Sequence, residues 1–257
     1  MLPALQLEWF HIGPLTISVW GTFALLGFAA AMTYLAVEAR KDGDPIDHVF
    51  VLGGWTMIGA LVGARIVEVL CYQPSYYSHH ILEAFKIWDG GLASSGGIIG
   101  GATVAIAILK KWGVPLVPTA DRIVPAVTLA MAIGRIGCYL TNDHPGLATG
   151  LWWGVRYPDG IIRHDLGLEL VVANLMLFGV LLLMRRLSLR VGVLTIIAIE
   201  WKGMSRVLLD FLRLDDGPFG EVRYWGLTPA QIIWMILMAV GVVWLGYIVK
   251  KHRRLLS

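Results

Sequence analysis

Seven apolar runs, each close to the length needed to cross a bilayer, constrain this chain more than any other feature. They fall at about 15–37, 49–71, 92–109, 118–140, 167–184, 192–212 and 227–249. A helix needs about 20 residues to cross the hydrocarbon core. Each run is continuous rather than alternating, which favours helices over barrel strands. The expected fold is an all-α polytopic membrane protein, one integral membrane domain over 1–257 with seven transmembrane helices. Composition agrees, since 57% of the residues are hydrophobic and only 15% charged, unlike an ordinary soluble domain. Residues 1–14 hold no Lys or Arg, so the basic start of a cleavable signal peptide is missing and the first run reads as a retained span.

Loop charge orients the spans. Eleven Lys and Arg follow the first, third, fifth and seventh runs, namely Arg40, Lys41, Lys110, Lys111, Arg185, Arg186, Arg190, Lys250, Lys251, Arg253 and Arg254. Five lie on the other side, Lys86, Arg156, Arg163, Arg213 and Arg223. Basic loops stay in the cytoplasm, so the N-terminus is expected outside and the C-terminus inside. Segment 72–91 holds Tyr76, Tyr77 and Trp88 and reads as a partly helical arm along the outer interface. Segment 141–166 reads as a long outer loop, and loops of that length often carry function. No aromatic-basic surface motif suggests nucleic acid. Two cysteines, Cys71 and Cys138, make neither a disulfide framework nor a zinc pattern. No His/Glu pair is read at i, i+4 on a helix, so a metal site is not expected.

The remaining five basic residues, Arg65, Arg122, Arg135, Lys202 and Arg206, fall inside the runs. A charge there is costly unless it meets a partner or a polar cavity. Counting at about 1.5 Å per residue places Trp20, Arg65, Ser95, Arg135 and Arg206 within about 10 Å of the outer boundary. Arginines at one depth can converge on an anion, and guanidinium forks suit phosphate oxygens. A phospholipid headgroup of the outer leaflet is the natural anion there. Lys202, Arg206, Asp210 and Arg213 form one helical stripe at i, i+4, i+8, i+11. Pairing of Arg206 with Asp210 and of Arg65 with Glu68 is the structural alternative.

Gly96, Gly97, Gly100 and Gly101 open the third run. Their spacing fits close helix packing, or a backbone N–H cradle for an anion at a helix start. Ser94 and Ser95 lack the GxSxG setting of a serine hydrolase. Beyond Arg135 come Asn142, Asp143 and His144, where an adjacent carboxylate can orient a proton-accepting imidazole. His164 and Asp165 repeat the pair, with Glu169 just after.

Several of these stretches resemble bacterial prolipoprotein diacylglyceryl transferases. They are Gly134-Arg135-Ile136-Gly137 with its polar outer loop, Trp88-Asp-Gly-Gly-Leu followed by Gly96-Gly-Ile-Ile-Gly, and Arg206-Val-Leu-Leu-Asp210-Phe-Leu-Arg213-Leu-Asp. Gly226-Leu-Thr-Pro-Ala-Gln-Ile, Ile12-Gly-Pro-Leu and Gly63-Ala-Arg65 fit in order. The resemblance covers nearly the whole chain. It implies a multi-pass protein of the bacterial inner membrane, with its site facing the outer leaflet. The implied reaction moves a diacylglyceryl group from phosphatidylglycerol to the lipobox cysteine of a prolipoprotein, with glycerol phosphate leaving and no cofactor. Arg135 and Arg206 would stabilise the phosphate, with Arg65 beside them, and Asp210 would hold an arginine. Gly134, Gly137 and Gly146 would shape the backbone. The family often has His where Ser95 stands, Tyr where Trp20 stands and Asn where Cys138 stands, and Asp143 occupies its acidic position. A changed base at 95 leaves three possibilities. His144 or His164 takes the thiol proton, the leaving phosphate takes it, or the frame serves a non-catalytic anionic-lipid binder or transporter.

Overall fold

The computed structural model describes residues 2–13, 15–87, 90–187, 189–214 and 222–256. The motif residues Pro14, Trp88, Asp89 and Asp215 lie outside these, as do the side chains of Lys251, Arg253 and Arg254. The chain divides into two compact units, 1–34 with 120–257, and 35–119.

Strand β1 (Leu2–Pro3), strands β2 (Trp9–Ile12) and β3 (Leu15–Ser18), and helix α1 (Val19–Asp42) come first. Then follow α2 (Ile46–Val67), running on through a π turn at Glu68–Tyr72, α3 (Pro74–His79), a 3-10 turn at Ile81–Phe85, and α4 (Ser94–Lys111). Helix α5 (Leu116–Thr141) leads to β4 (Pro145–Ala148), β5 (Val155–Arg156) and β6 (Ile162–Asp165). Helices α6 (Leu166–Met184), α7 (Val193–Asp210) and α8 (Pro229–Leu256) complete the fold.

All seven apolar runs are helical, so this is a mostly helical, polytopic membrane protein. Among the described residues, five helices are long and apolar enough to cross a membrane: α1, α2 with its π turn, α5, α6 and α8. The other two, α4 and α7, have 18 residues each. Helix α4 is diluted by four glycines, two serines and two terminal lysines, and α7 carries Glu200, Lys202, Arg206 and Asp210. Outside the spans the chain is not all-α. Segment 141–166, expected as a loop, holds three strands that join β1 in a sheet of order β1-β5-β6-β4. Strands of two to four residues are too short to show a period of their own. Strand β1, the parallel partner of β5, lies some 150 residues earlier in the chain. The 72–91 arm is partly helical as expected among its described residues.

In the second unit, α2 and α4 meet backbone to backbone. A Cβ at Gly63 would sit 2.5 Å from the Gly96 carbonyl oxygen, and one at Gly100 would sit 2.2 Å from that of Gly59. Gly96 and Gly100 therefore serve close packing, while Gly97 faces Ala60 and Ala64 with ordinary clearance. Gly63→Val is expected to destabilise the protein by about 1–3 kcal/mol through overpacking. Gly54→Ala, with open space around it, should stay within about 0.5 kcal/mol. Unfolding midpoints of the detergent-solubilised variants give the comparison.

In the first unit, the charged and polar helix ends fix α7 and α8. Asp121 of α5 accepts from Gly192 N and from Thr195 N and Oγ1 at 2.5, 2.8 and 2.6 Å, satisfying the orphan donors at the start of α7. Gly192 supplies the left-handed turn before it, at φ +95°. Helix α8 opens on a reciprocal capping box, in which Gln231 N donates to Thr228 Oγ1 and Thr228 N donates to Gln231 Oε1. Val124, Leu177, Leu181, Leu194 and Ala198 pack α5, α6 and α7 together.

Candidate active site

Arg135 lies on the last two turns of α5, between Gly134 and Gly137. A Cβ at Gly137 would come 3.0 Å from the Phe23 Cβ and 3.2 Å from the Trp20 Cα. Glycine thus lets α5 press onto α1, and the Trp20 indole reaches the Cys138 side chain. Gly134 has open space around it. The Arg135 Nη1 donates to Cys138 Sγ at 3.7 Å and meets His144 Nε2 at 3.4 Å. His144 Nδ1 makes a short contact with Asp143 Oδ1.

The partners settle the imidazole tautomer. A guanidinium can only donate and a carboxylate can only accept. Nδ1 therefore carries the hydrogen, given to Asp143, and Nε2 presents its lone pair. Burial pushes the imidazole down to about 4, against the opposing pull of Asp143 and assisted by Arg213 and Arg135. The ring is neutral at pH 7, and 18% of its side-chain surface remains open. It has the form of a poised proton acceptor.

The loop that carries His144 is tied at both ends. Asn142 adopts a left-handed backbone at φ +53°. Its Oδ1 accepts from Gln6 N at 2.9 Å and its Nδ2 donates to Asp165 Oδ2 at 3.3 Å. Asp165 caps α6 through Leu168 N and accepts from the Tyr157 hydroxyl at 2.8 Å. Burial raises both the Asp165 carboxyl and the Tyr157 phenol, which keeps Tyr157 a donor. Past His144, Gly146 lies against the end of α7, where a Cβ would meet the Leu212 carbonyl oxygen at 2.8 Å. His164 is held separately, with Nδ1 at 2.6 Å from Glu169 Oε1, which also accepts from the Trp153 indole at 3.3 Å.

Helix α7 supplies the second group of charges. Arg206 is 7% exposed and forms an ion pair at 3.2 Å with the fully buried Asp210. Thr228 Oγ1 donates to Asp210 Oδ2 at 2.9 Å, and Gln231 Nε2 donates to the Val207 carbonyl. The α8 cap therefore also sets the Arg206 pair. Thr228→Val should cost about 2–4 kcal/mol, combining a lost cap with a buried carboxylate oxygen left unsatisfied. Chemical or thermal unfolding beside Thr103→Val, an exposed threonine on α4, would measure it. Arg223 donates to the carbonyls of Asp210 and Arg213, covering the C-terminal end of α7. Lys202, one turn before Arg206, donates to Asn174 Oδ1. Asn174 is a site neighbour that the sequence reading passed over; a lone amide inside the apolar run 167–184 was the available signal.

Arg135, Cys138, Asp143 and His144 thus come together, and Arg206 and Asp210 pair as the stripe suggested. Arg65, Ser95, Gly96 and Gly97 belong to the second unit. All five donors of the Arg65 guanidinium are taken by the carbonyls of Glu83, Ala84, Lys86, Gly90 and Gly91 at 2.6–3.1 Å. Arg65 is the anchor of the 72–91 arm. Ser95 is 2% exposed and, among the described residues, its Oγ has no hydrogen-bond partner, so none of them is a base placed to activate it as a nucleophile would require. Cys138, Asp143 and His144 have ligand atoms within 4.8 Å of one another, a composition that suits a soft cation. The Arg135 guanidinium already donates into that cluster, and a dication beside it would be repelled.

A cationic fork near the C-terminal end of α5, beside a relayed imidazole, agrees with the comparison with known proteins. The family model described as prolipoprotein diacylglyceryl transferase matches residues 8–247. The chain belongs to the prolipoprotein diacylglyceryl transferase family. Among curated transferases named phosphatidylglycerol–prolipoprotein diacylglyceryl transferase, that of Geobacter sulfurreducens is 32% identical over 85% of this chain and 86% of its own. That of Wolbachia pipientis is 30% identical over 92% and 93%, and that of Nitrosomonas europaea 28% over 90% and 85%. In this diacylglyceryl transferase family member, Ser95 has no base character, and the imidazole bonded to Arg135 comes from the loop after α5.

Proposed function

We propose that this chain transfers the diacylglyceryl group of phosphatidylglycerol to the lipobox cysteine thiol of a prolipoprotein, releasing glycerol phosphate, with Arg135, Arg206 and His144 as the working groups. The observation that carries this reading is the Arg135 guanidinium set against the neutral His144–Asp143 pair. Seven spans, an external N-terminus and a cytoplasmic C-terminus complete it, in a bacterial inner membrane with the site toward the outer leaflet. The loop-charge asymmetry and the helical character of all seven runs support that topology.

The donor headgroup binds Arg135 and Arg206, whose forks donate to its phosphate oxygens. Asp210 keeps Arg206 oriented. As Arg135 turns to the phosphate, the Nε2 lone pair of His144 is released for the thiol. The thiol gives its proton to Nε2, Asp143 holds the resulting imidazolium, and sulfur attacks the glyceryl carbon. The S–C bond forms as the C–O bond breaks, and the bonding electrons pass to the phosphate oxygen. The leaving group changes from a monoanionic diester to a dianionic monoester, so fixed cations bind the transition state more strongly than the ground state. The reading uses no cofactor or metal. Trp20, Cys138, Gly134 and Gly137 shape the wall beside Arg135, and Gly96, Gly97 and Ser95 belong to the α2–α4 seam.

A non-catalytic lipid binder on the same frame would need the arginines and not the His144 relay. The deciding experiment mixes purified protein, labelled phosphatidylglycerol and a lipobox peptide. Thioether-linked product in the wild type, lost in Arg135→Ala, is the expected result. Arg135-dependent lipid binding without any product would instead establish the binder.

A further inference from the structure

Among the described residues, the buried amine of Lys202 has no acidic partner. Lys202 is 9% exposed and bonds through Nζ to Asn174 Oδ1, a neutral acceptor. An ammonium has three donors, and this bond uses one. Its charged neighbours, Arg135 and Arg206, are both positive. Asp210, the nearest acid along the stripe, is engaged by Arg206 and Thr228. Cations buried together in a membrane helix bundle persist only where an anion meets them.

We propose that Lys202 is a third phosphate-binding cation of this site, matched to the dianionic glycerol phosphate that leaves rather than to the monoanionic diester that enters. The proposal rests on the transferase reading above. An arginine presents a fixed planar fork, whereas an ammonium on a flexible stem is a compact point charge. Lys202 therefore suits the oxygen that gains charge as the C–O bond breaks. Asn174 holds the stem and leaves two N–H groups for that oxygen. Lys202 thereby favours the charge-separated transition state over the bound lipid, and it also makes the product the tighter ligand.

The test uses the full-length protein in micelles containing phosphatidylglycerol, with lipobox peptide as acceptor, at pH 8. There a phosphate monoester, whose second pKa is about 6, is a dianion. Glycerol phosphate and its methyl ester, a monoanion of nearly the same shape, are compared as inhibitors. The wild type is expected to bind the dianion at least about tenfold more tightly, the step that separates one full charge contact. In Lys202→Met that preference should fall to within about twofold. Its kcat should drop about 100-fold with KM for phosphatidylglycerol nearly unchanged, as loss of a transition-state contact requires. Lys202→Arg should keep the preference for the dianion. Equal inhibition of the wild type by the two compounds overturns the proposal even if no variant assembles. So does a Lys202→Met enzyme that retains the preference, including one whose loss of rate traces to a neutral amine acting as the base. A wild type that transfers nothing would instead defeat the transferase reading itself.

Discussion

Arg135→Ala is expected to abolish transfer, lowering kcat/KM by at least about 100- to 1,000-fold, the usual loss when one preorganised donor to a developing anion is removed. In the proposed reaction the residue serves two functions: its fork binds the headgroup phosphate, and its Nη1, at 3.4 Å from His144 Nε2, gives up that contact when the lipid binds. Arg135→Lys keeps the charge but cannot make paired contacts to two oxygens, so it should recover only a small part of the rate. Fold should survive both changes, because the other side of α5 packs on α1 through Gly27 and Gly137. A steady-state transfer assay with varied phosphatidylglycerol separates the effects. A rise in KM alone would mean that Arg135 only binds the lipid, and an unchanged kcat/KM would remove it from the site altogether.

His144→Ala should lower kcat by about 100- to 10,000-fold, the range for a general base, with little effect on lipid binding. Asp143→Asn is the more informative variant. Its amide can donate to Nδ1, which would move the ring hydrogen to Nε2 and cap the lone pair. A loss approaching that of His144→Ala is expected. The pH profile carries a further signature. The base must be neutral to work, and burial holds His144 down to about 4. Variant-corrected activity should therefore persist below the ordinary histidine value of about 6.5 and decline only as pH nears about 4. Stability follows the same sign. Between about 4 and 6.5 the unfolded chain binds the proton and the folded chain does not, so stability present above 6.5 is lost as pH falls through that window. An unchanged rate in His144→Ala would direct attention to His164, whose Nδ1 faces Glu169.

Much of this was legible in the order of residues, and the reasons are local. Runs of about 20 apolar residues can satisfy their backbone in lipid only as helices, so the positions of seven helices needed no tertiary information. Arg206 and Asp210 lie one turn apart on one helix, so their pairing is open to the sequence as the structural alternative, and the structure forms it. Adjacent Asp143 and His144 likewise announced a possible relay. The glycine seam was readable in spacing, but whether Gly96 approached an anion or a carbonyl was not. Its distance to Gly63 depends on where α2 runs, and that is a property of two helices.

The tertiary structure decided the remainder, because depth in a membrane fixes height and not azimuth. Arg65 and Arg135 were placed at one height by counting, yet Arg65 spends every donor on the carbonyls of its own arm. In the structure its guanidinium holds that arm. The 141–166 segment became a sheet because β1, far away in sequence, supplies a strand to it. That same sheet sets Asn142, Asp165 and Gly146 around His144, which chooses the loop imidazole over His164 as the neighbour of Arg135. Lys202 shows the division most clearly. Its position inside an apolar run is a fact of sequence, but its lack of an acidic partner among the described residues appears only once Asn174, Arg135 and Arg206 are packed around it. The sequence by itself determined which segments become long apolar helices and which charges they carry. Only the packed chain decided which of those charges meet a partner, since compensation depends on side chains brought together from different helices.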